Sequence, residues 1–226
     1  MKLSIWSFAV FLGASSLSWG STIWHEGDGG QGDAGPLPSS ANIAAGVGSL
    51  TEILGKLGDI TKGADMYEID ISNPGTFSAT TLGTGNDPIV NPAIYLFDSN
   101  GNGIIGNDNT GAGSQATISD ASLTAGLYYI LITSSGHLPA NGNTKIFGDL
   151  TNTTNTSTPG APVQIANYRE TALTVSPADS GTQYEIELTG VSFVTPEPAT
   201  VGLIGLGLAA VAFAARVGQR HALPRR

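Results

Sequence analysis

The chain has 226 residues, which is enough for one domain plus terminal processing segments. It carries a formal net charge of −9. It has no cysteine, and this excludes a disulfide framework, thiol catalysis and zinc–thiolate sites. All 18 acidic residues lie between residues 21 and 198, where the only basic residues are Lys56, Lys62, Lys145 and Arg169. An acidic body of this kind repels nucleic acid, so we expect no nucleic-acid partner.

Residues 1–20 have the pattern of a secretory signal peptide. Lys2 precedes an apolar core that runs from Leu3 to Leu17, and Ser18 and Gly20 occupy the −3 and −1 positions of a cleavage site before Ser21. A buried N-terminal helix is the alternative. The apolar core is too short to span a bilayer and is flanked as a cleaved signal peptide is, which argues against this alternative. The pattern favours export.

The body is predicted to be all-β, in a jelly-roll-like β-sandwich over residues 65–194. Residues 21–64 are predicted to form an extended Gly/Asp-rich lead-in with the first short strands. "YEIDI" (67–71) and "YEIEL" (184–188) alternate apolar and acidic residues, as half-buried strands do. If these two strands are neighbours, their four carboxylates share one outer face. The other predicted strands are "TFSATTL" (76–82), "AIYLF" (93–97), "SQATIS" (114–119), "LYYILIT" (127–133) and "ETALTVS" (170–176).

Three short motifs in the body resemble those of the bacterial pre-peptidase C-terminal domain. They are Asp65-Met66-Tyr67, Leu96-Phe97-Asp98 with Gly101, and "LTAGLY" at 123–128. The resemblance covers about residues 40–190. It implies a jelly-roll sandwich of the kind that is appended to secreted peptidases and serves secretion or matrix binding.

The C-terminal segment, residues 195–226, has three parts in a fixed order. Pro196-Glu197-Pro198 comes first, and its backbone is expected to be extended because each proline restricts the residue before it. The uncharged stretch 199–215 follows and has 17 residues. It is predicted to be a transmembrane helix, with a length of about 25 Å. The basic tail 216–226 is predicted to be cytoplasmic by the positive-inside rule. Its arginines are Arg216, Arg220, Arg225 and Arg226.

This order resembles the PEP-CTERM sorting signal of bacterial surface proteins. The resemblance implies that an exosortase, a membrane-embedded enzyme, recognises the motif and releases or re-anchors the protein outside the cell. It also implies a role in exopolysaccharide or biofilm matrices, with exopolysaccharide as a further partner. An ordinary membrane anchor with a proline hinge and a buried core helix are the alternatives for this segment.

The sequence offers no catalytic constellation. It has no Gly-x-Ser-x-Gly elbow, and no second histidine pairs with His25 in a zinc-binding helix pattern. His137 lies in a Gly/Pro-rich segment and is predicted to be a solvated loop residue. We therefore expect no enzyme activity and no organic cofactor.

The segment "DSNGNGIIGNDN" (98–109) is a candidate calcium loop. Asp98, Asn100 and Asn102 stand at alternate positions, the Ile104 carbonyl could follow as a ligand, and Asp108 would have to replace the usual bidentate glutamate. Its two Asn-Gly steps equally predict a plain hairpin turn that needs no ion.

The sequence therefore predicts an exported protein of the cell surface or extracellular matrix with a structural or adhesive role. The alternative is a carbohydrate-binding module in which a tyrosine stacks on sugar. Tyr128 and Tyr129 are adjacent and must face opposite sides of their strand, so one of them could be exposed.

Overall fold

A computed structural model of the protein describes residues 22–58, 63–82, 89, 91–110, 114–148, 156–170 and 182–195. The predicted signal peptide, the predicted membrane span 199–215 and most of the predicted strand 170–176 lie outside these ranges. Within them no helix has the length and apolarity to cross a membrane.

The described residues form an all-β fold in which the helical elements are three short 3₁₀ turns, Asp28–Gly30, Pro38–Ser40 and Pro74–Thr76. The strands are β1 (Ile23–His25), β2 (Asn42–Ile43), β3 (Glu52–Lys56), β4 (Ala64–Ile71), β5 (Ser78–Leu82), β6 (Pro92–Asp98), β7 (Gly103–Asn107), β8 (Thr117–Ser119), β9 (Gly126–Ser134), β10 (His137–Asn141), β11 (Thr144–Lys145), β12 (Thr156–Ser157), β13 (Asn167–Glu170), β14 (Gln183–Thr189) and β15 (Val191–Ser192).

Two large sheets enclose the main core. The five-stranded sheet has the order β1-β3-β14-β5-β8, and the seven-stranded sheet has the order β12-β7-β6-β9-β4-β15 with β2 also paired to β4. Most neighbours are antiparallel, but β1–β3 and β2–β4 are parallel. Residues before position 65 therefore supply strands to both sheets. Side chains such as Ile53 and Ile186 from one sheet pack against Ile69 and Ile130 from the other.

A third layer covers part of the outer face of the seven-stranded sheet. The small sheet β11-β10-β13 and the segments beside it bury Met66, Tyr95 and Leu131. Phe147 lies against Tyr95 with ring centroids 5.0 Å apart. Because both faces of β6 and β9 are covered, their sequences are nearly continuous apolar runs.

The structure has both strands predicted at residues 67–71 and 184–188, but the two strands are not neighbours. β4 lies in the seven-stranded sheet and β14 in the five-stranded sheet, so the expectation that their carboxylates share a face is wrong. Alternation predicts which side chains point inward, but it carries no information on which sheet a strand joins.

Candidate functional site: the chain exit and its surroundings

The end of the described chain is held on both sides by backbone hydrogen bonds. β15 pairs with β4, and Val194 then forms a parallel bridge to Ala45. The amide of Val194 donates to the Ala44 carbonyl over 2.8 Å, and the Gly46 amide donates to the Val194 carbonyl over 3.0 Å. Backbone hydrogen bonds therefore hold the chain in the fold as far as Val194, two positions before Pro196. We call residues 43–49 the exit loop.

Phe193 locks this segment into the core. Its side chain is buried, and its amide donates to the Gly48 carbonyl over 3.0 Å. A Cβ on Gly46 would come within 2.8 Å of the Phe193 ring, so the close approach requires glycine at this position. The residues of the predicted sorting signal follow directly. They are Pro196, Glu197, Pro198, Arg216, Arg220, Arg225 and Arg226, and all lie outside the described residues.

In the predicted calcium loop, the Asp98 carboxylate organises a hairpin turn between β6 and β7. Oδ1 accepts hydrogen bonds from the amides of Asn100 (2.9 Å) and Asn102 (2.8 Å). Oδ2 accepts from the side-chain amide of Asn102 over 2.8 Å. Gly101 adopts a φ of 80°, which suits glycine at the tip of a tight turn. Both carboxylate oxygens thus have donors within the turn.

The remaining predicted ligands of this loop are not brought together. Ile104 lies within β7, and β7 runs back along β6 with Phe97 opposite Gly103 and Ile94 opposite Asn107. Asp108 therefore lies at the far end of the hairpin, where its buried carboxylate accepts from the Ser135 hydroxyl over 2.8 Å. The geometry accounts for Asp98 and Asp108 as parts of two separate hydrogen-bonded turns.

The two adjacent tyrosines of β9 face opposite sides of the sheet. Tyr128 is buried in the main core, and its hydroxyl donates to the Thr124 carbonyl over 2.8 Å. Tyr129 is half-buried on the outer face, where its cross-strand partner is Glu68. Burial, followed by the charge of Glu68, raises the pKa of the Tyr129 hydroxyl. Of the two, Tyr129 is the less buried residue.

A cluster of three carboxyl groups forms the least expected feature of the fold. One carboxylate oxygen each from Glu26, Asp33 and Asp65 lies within 4.8 Å of the others. Asp65 is buried, and its Oδ2 accepts from the Tyr184 hydroxyl over 2.8 Å. Burial, followed by the charge of Glu26, raises the pKa of Asp65 to about 9. Asp65 therefore keeps its proton at neutral pH.

Glu26 connects this cluster to the segments around it. Its Oε1 accepts from the amide of Ala34 and its Oε2 from the amide of Lys56, both over 2.9 Å. Burial raises the pKa of Glu26, and these two hydrogen bonds oppose the effect. Three such oxygens could ligate a hard cation, although Glu26 and Asp65 already have protein donors. No local sequence pattern predicts this cluster, because the three residues come from separate turns and strands.

The described histidines form no catalytic pair. His25 is exposed on β1, and its amide donates to Asp28 Oδ2 over 2.8 Å. His137 is buried on β10 and stacks on Tyr168 with ring centroids 4.5 Å apart. The expectation that His137 is a solvated loop residue is wrong, because His137 belongs to strand β10 and its ring is buried against Tyr168 of β13.

Comparison with known protein families identifies one segment. Residues 194–218 match the family model described as the PEP-CTERM protein-sorting motif. The match begins at Val194, the last residue bridged to the exit loop, and includes Pro196, Glu197, Pro198 and Arg216. The chain has no match among curated proteins. The motif indicates an exported protein that is sorted by an exosortase and located at the cell envelope or surface.

Proposed function

We propose that the protein is a structural or adhesive component of the cell surface or extracellular matrix. It is made as a membrane-anchored precursor, in which residues 199–215 span the membrane and the basic tail 216–226 remains in the cytoplasm. An exosortase acts at Pro196-Glu197-Pro198 and releases or re-anchors the folded body. The protein itself carries out no catalysis.

The observation that supports this proposal is that the sorting motif begins almost immediately after the last hydrogen-bonded residue of the fold. Val194 is hydrogen-bonded into the body, and Pro196 follows after a single exposed residue, Thr195. Removal of everything beyond the motif would leave the described strands and Phe193 in place. Among the described residues, the last one buried in the core is Phe193, which precedes the sorting segment. This is the arrangement expected of a protein that is processed after folding.

Intact-mass analysis of protein recovered from outside the cell tests the proposal. We expect a species that lacks residues before about Ser21 and residues after the Pro196–Pro198 segment. Replacement of Pro196-Glu197-Pro198 by three alanines should leave the full precursor in the membrane fraction. The matched control replaces Pro36 and Pro38, a second Pro-x-Pro in the body, and should be processed like the parent. Unaltered processing of the triple-alanine variant would contradict the proposal.

A second candidate function, carbohydrate binding in an exopolysaccharide matrix, is favoured by the position of Tyr129. A half-buried tyrosine beside a carboxylate, here Glu68, combines an aromatic ring for stacking with a hydrogen-bond acceptor for sugar hydroxyls. Binding on a glycan array that disappears in Tyr129→Ala and persists in Tyr128→Phe would support it. Absence of binding to any glycan would favour the purely structural role.

The jelly-roll topology and the kinship with pre-peptidase C-terminal domains belong to the same proposal. They rest on the three sequence motifs at 65–67, 96–101 and 123–128, which fall on β4, on the β6–β7 turn and at the start of β9. Such a domain would serve matrix binding rather than peptide cleavage. An experimental structure with the strand order of that family would test this assignment.

A further inference from the structure

The exit loop presents apolar side chains to solvent at the point where the chain leaves the fold. Val47 is 72% exposed and Ile43 is 41% exposed. The exit loop, residues 43–49 ("IAAGVGS"), contains no charged group, although the body around it is strongly acidic. An uncharged, apolar loop tip is therefore set beside the start of the sorting segment.

The loop is held firmly next to the exit. The side chain of Gln31 forms two hydrogen bonds with the backbone of Ile43. Its Nε2 donates to the Ile43 carbonyl over 2.8 Å, and its Oε1 accepts from the Ile43 amide over 2.7 Å. The other side of the loop carries the backbone bonds to Phe193 and Val194. Val47 therefore stays close to Thr195.

The covalent chain limits the distance between this loop and a membrane that holds residues 199–215. Four peptide units join Thr195 to Ala199, and fully extended they reach at most about 14 Å. The headgroup layer of one leaflet is itself about 5–8 Å thick. The apolar stretch, at about 25 Å as a helix, is shorter than a hydrocarbon core of about 30 Å, which draws its flanks toward the interface.

We propose that, in the membrane-anchored precursor, the exit loop lies in the lipid headgroup layer, with Val47 and Ile43 in contact with lipid. This inference rests on the proposed function, because it requires the anchored precursor. Apolar side chains gain free energy by leaving water, and the absence of charge avoids repulsion from anionic lipid. The contact holds the sandwich against the bilayer and presents the Pro-Glu-Pro motif at the membrane surface.

Single-cysteine labelling tests the contact, since the chain has no native cysteine. The full chain, with Pro196-Glu197-Pro198 replaced by alanines to prevent processing, is reconstituted into vesicles of phosphatidylethanolamine and phosphatidylglycerol. A polarity-sensitive fluorophore is attached at Val47→Cys, or independently at Ile43→Cys. The matched control is Gln183→Cys, which is exposed and lies at the other end of β14, about 20 Å from Thr189.

We expect the label at position 47 to shift its emission to shorter wavelength on reconstitution and to be quenched by lipids that carry a headgroup nitroxide. The label at position 43 should respond in the same direction and the label at position 183 should not respond. If the precursor floats with the vesicles but positions 47 and 43 behave like position 183, the inference is overturned and the anchored precursor stands. If the precursor does not float with the vesicles, the anchor itself fails and the inference fails with it.

Discussion

The hydroxyl oxygens of Tyr67 and Tyr184 lie 2.5 Å apart in the core and join the two large sheets. Tyr67 projects from β4 and Tyr184 from β14, and both side chains are buried. The Tyr184 hydroxyl also lies 2.8 Å from Asp65 Oδ2, so the two tyrosines and this carboxyl group form one buried hydrogen-bonded chain. The two similar "YEI" sequences thus meet face to face across the sandwich.

The buried Asp65 should make the stability of the protein depend on pH. Its pKa rises from 3.8 to about 9 in the fold, and the groups that face it are Glu26, Asp33 and Tyr184. The folded state therefore binds one more proton than the unfolded state between these two pKa values. The free energy of unfolding should fall as pH rises through this window, by up to about 1.4 kcal/mol per pH unit.

Asp65→Asn should remove this part of the pH dependence. An asparagine oxygen can still accept from Tyr184, while its amide group can donate toward Glu26 and Asp33. Urea unfolding at several pH values between 5 and 9 measures the slope. Asp70→Asn, a half-exposed position on the same strand, should leave the slope unchanged. Equal slopes in the parent and in Asp65→Asn would show that Asp65 is ionised in the fold.

Gly55 should not tolerate a side chain. A Cβ at this position would lie 2.3 Å from the Tyr184 hydroxyl oxygen, which is already fixed by Tyr67 and Asp65. Gly55→Ala should therefore lower the free energy of unfolding by about 1–3 kcal/mol. Gly160→Ala is the control, because nothing lies within 4 Å of its Cβ position, and it should change stability by less than about 0.5 kcal/mol. Equal unfolding midpoints for the two variants would refute this view of the Tyr184 contact.

Glu52 and Glu187 face each other directly on the outer side of the five-stranded sheet. Burial, followed by the charges of Glu185 and Glu187, raises the pKa of Glu52. Like charges opposite one another destabilise a sheet, and salt screens them. The melting temperature should therefore rise with moderate NaCl, and Glu187→Gln should raise it at low salt and weaken the salt response.

Glu68→Gln is the matched control for this charge effect. The neighbours of Glu68 across its strand are Tyr129 and Ile43, so it has no acidic residue directly opposite. Its substitution should leave the salt response close to that of the parent. A salt response that is the same in Glu187→Gln and Glu68→Gln would argue against a specific effect of the Glu52–Glu187 pair.

Asp98 should stabilise its turn without an ion. Loss of its three side-chain hydrogen bonds in Asp98→Ala should lower the free energy of unfolding by about 1–2 kcal/mol, equally with chelator and with calcium. Thermal melts of chelator-stripped protein, with Ca²⁺ added up to about 10 mM, measure this. A calcium-induced rise in melting temperature that disappears in Asp98→Ala would instead establish the cation site that the residue spacing allows.

The sequence alone determined the strands with a strong local pattern and the C-terminal sorting motif. β4 and β14 were predicted from alternation, and β6 and β9 from continuous apolar runs. Both patterns can be seen in consecutive residues, without knowledge of the fold. The sorting motif was recognisable for the same reason, since its three parts follow one another along the chain. The first short strands were expected within residues 21–64 but without individual bounds. β10, β11 and β15 were not predicted as strands, because their residues show no clear two-residue alternation.

Only the tertiary structure decided which residues meet. Strand order depends on pairings between distant parts of the chain, so alternation could not place β4 and β14 in different sheets. The same long-range pairing places His137 of β10 against Tyr168 of β13. It also assembles Glu26, Asp33 and Asp65 and packs Phe193 against Gly46. These contacts join residues from separate elements. They are stabilised by packing between distant parts of the chain, so no single stretch of sequence can predict them.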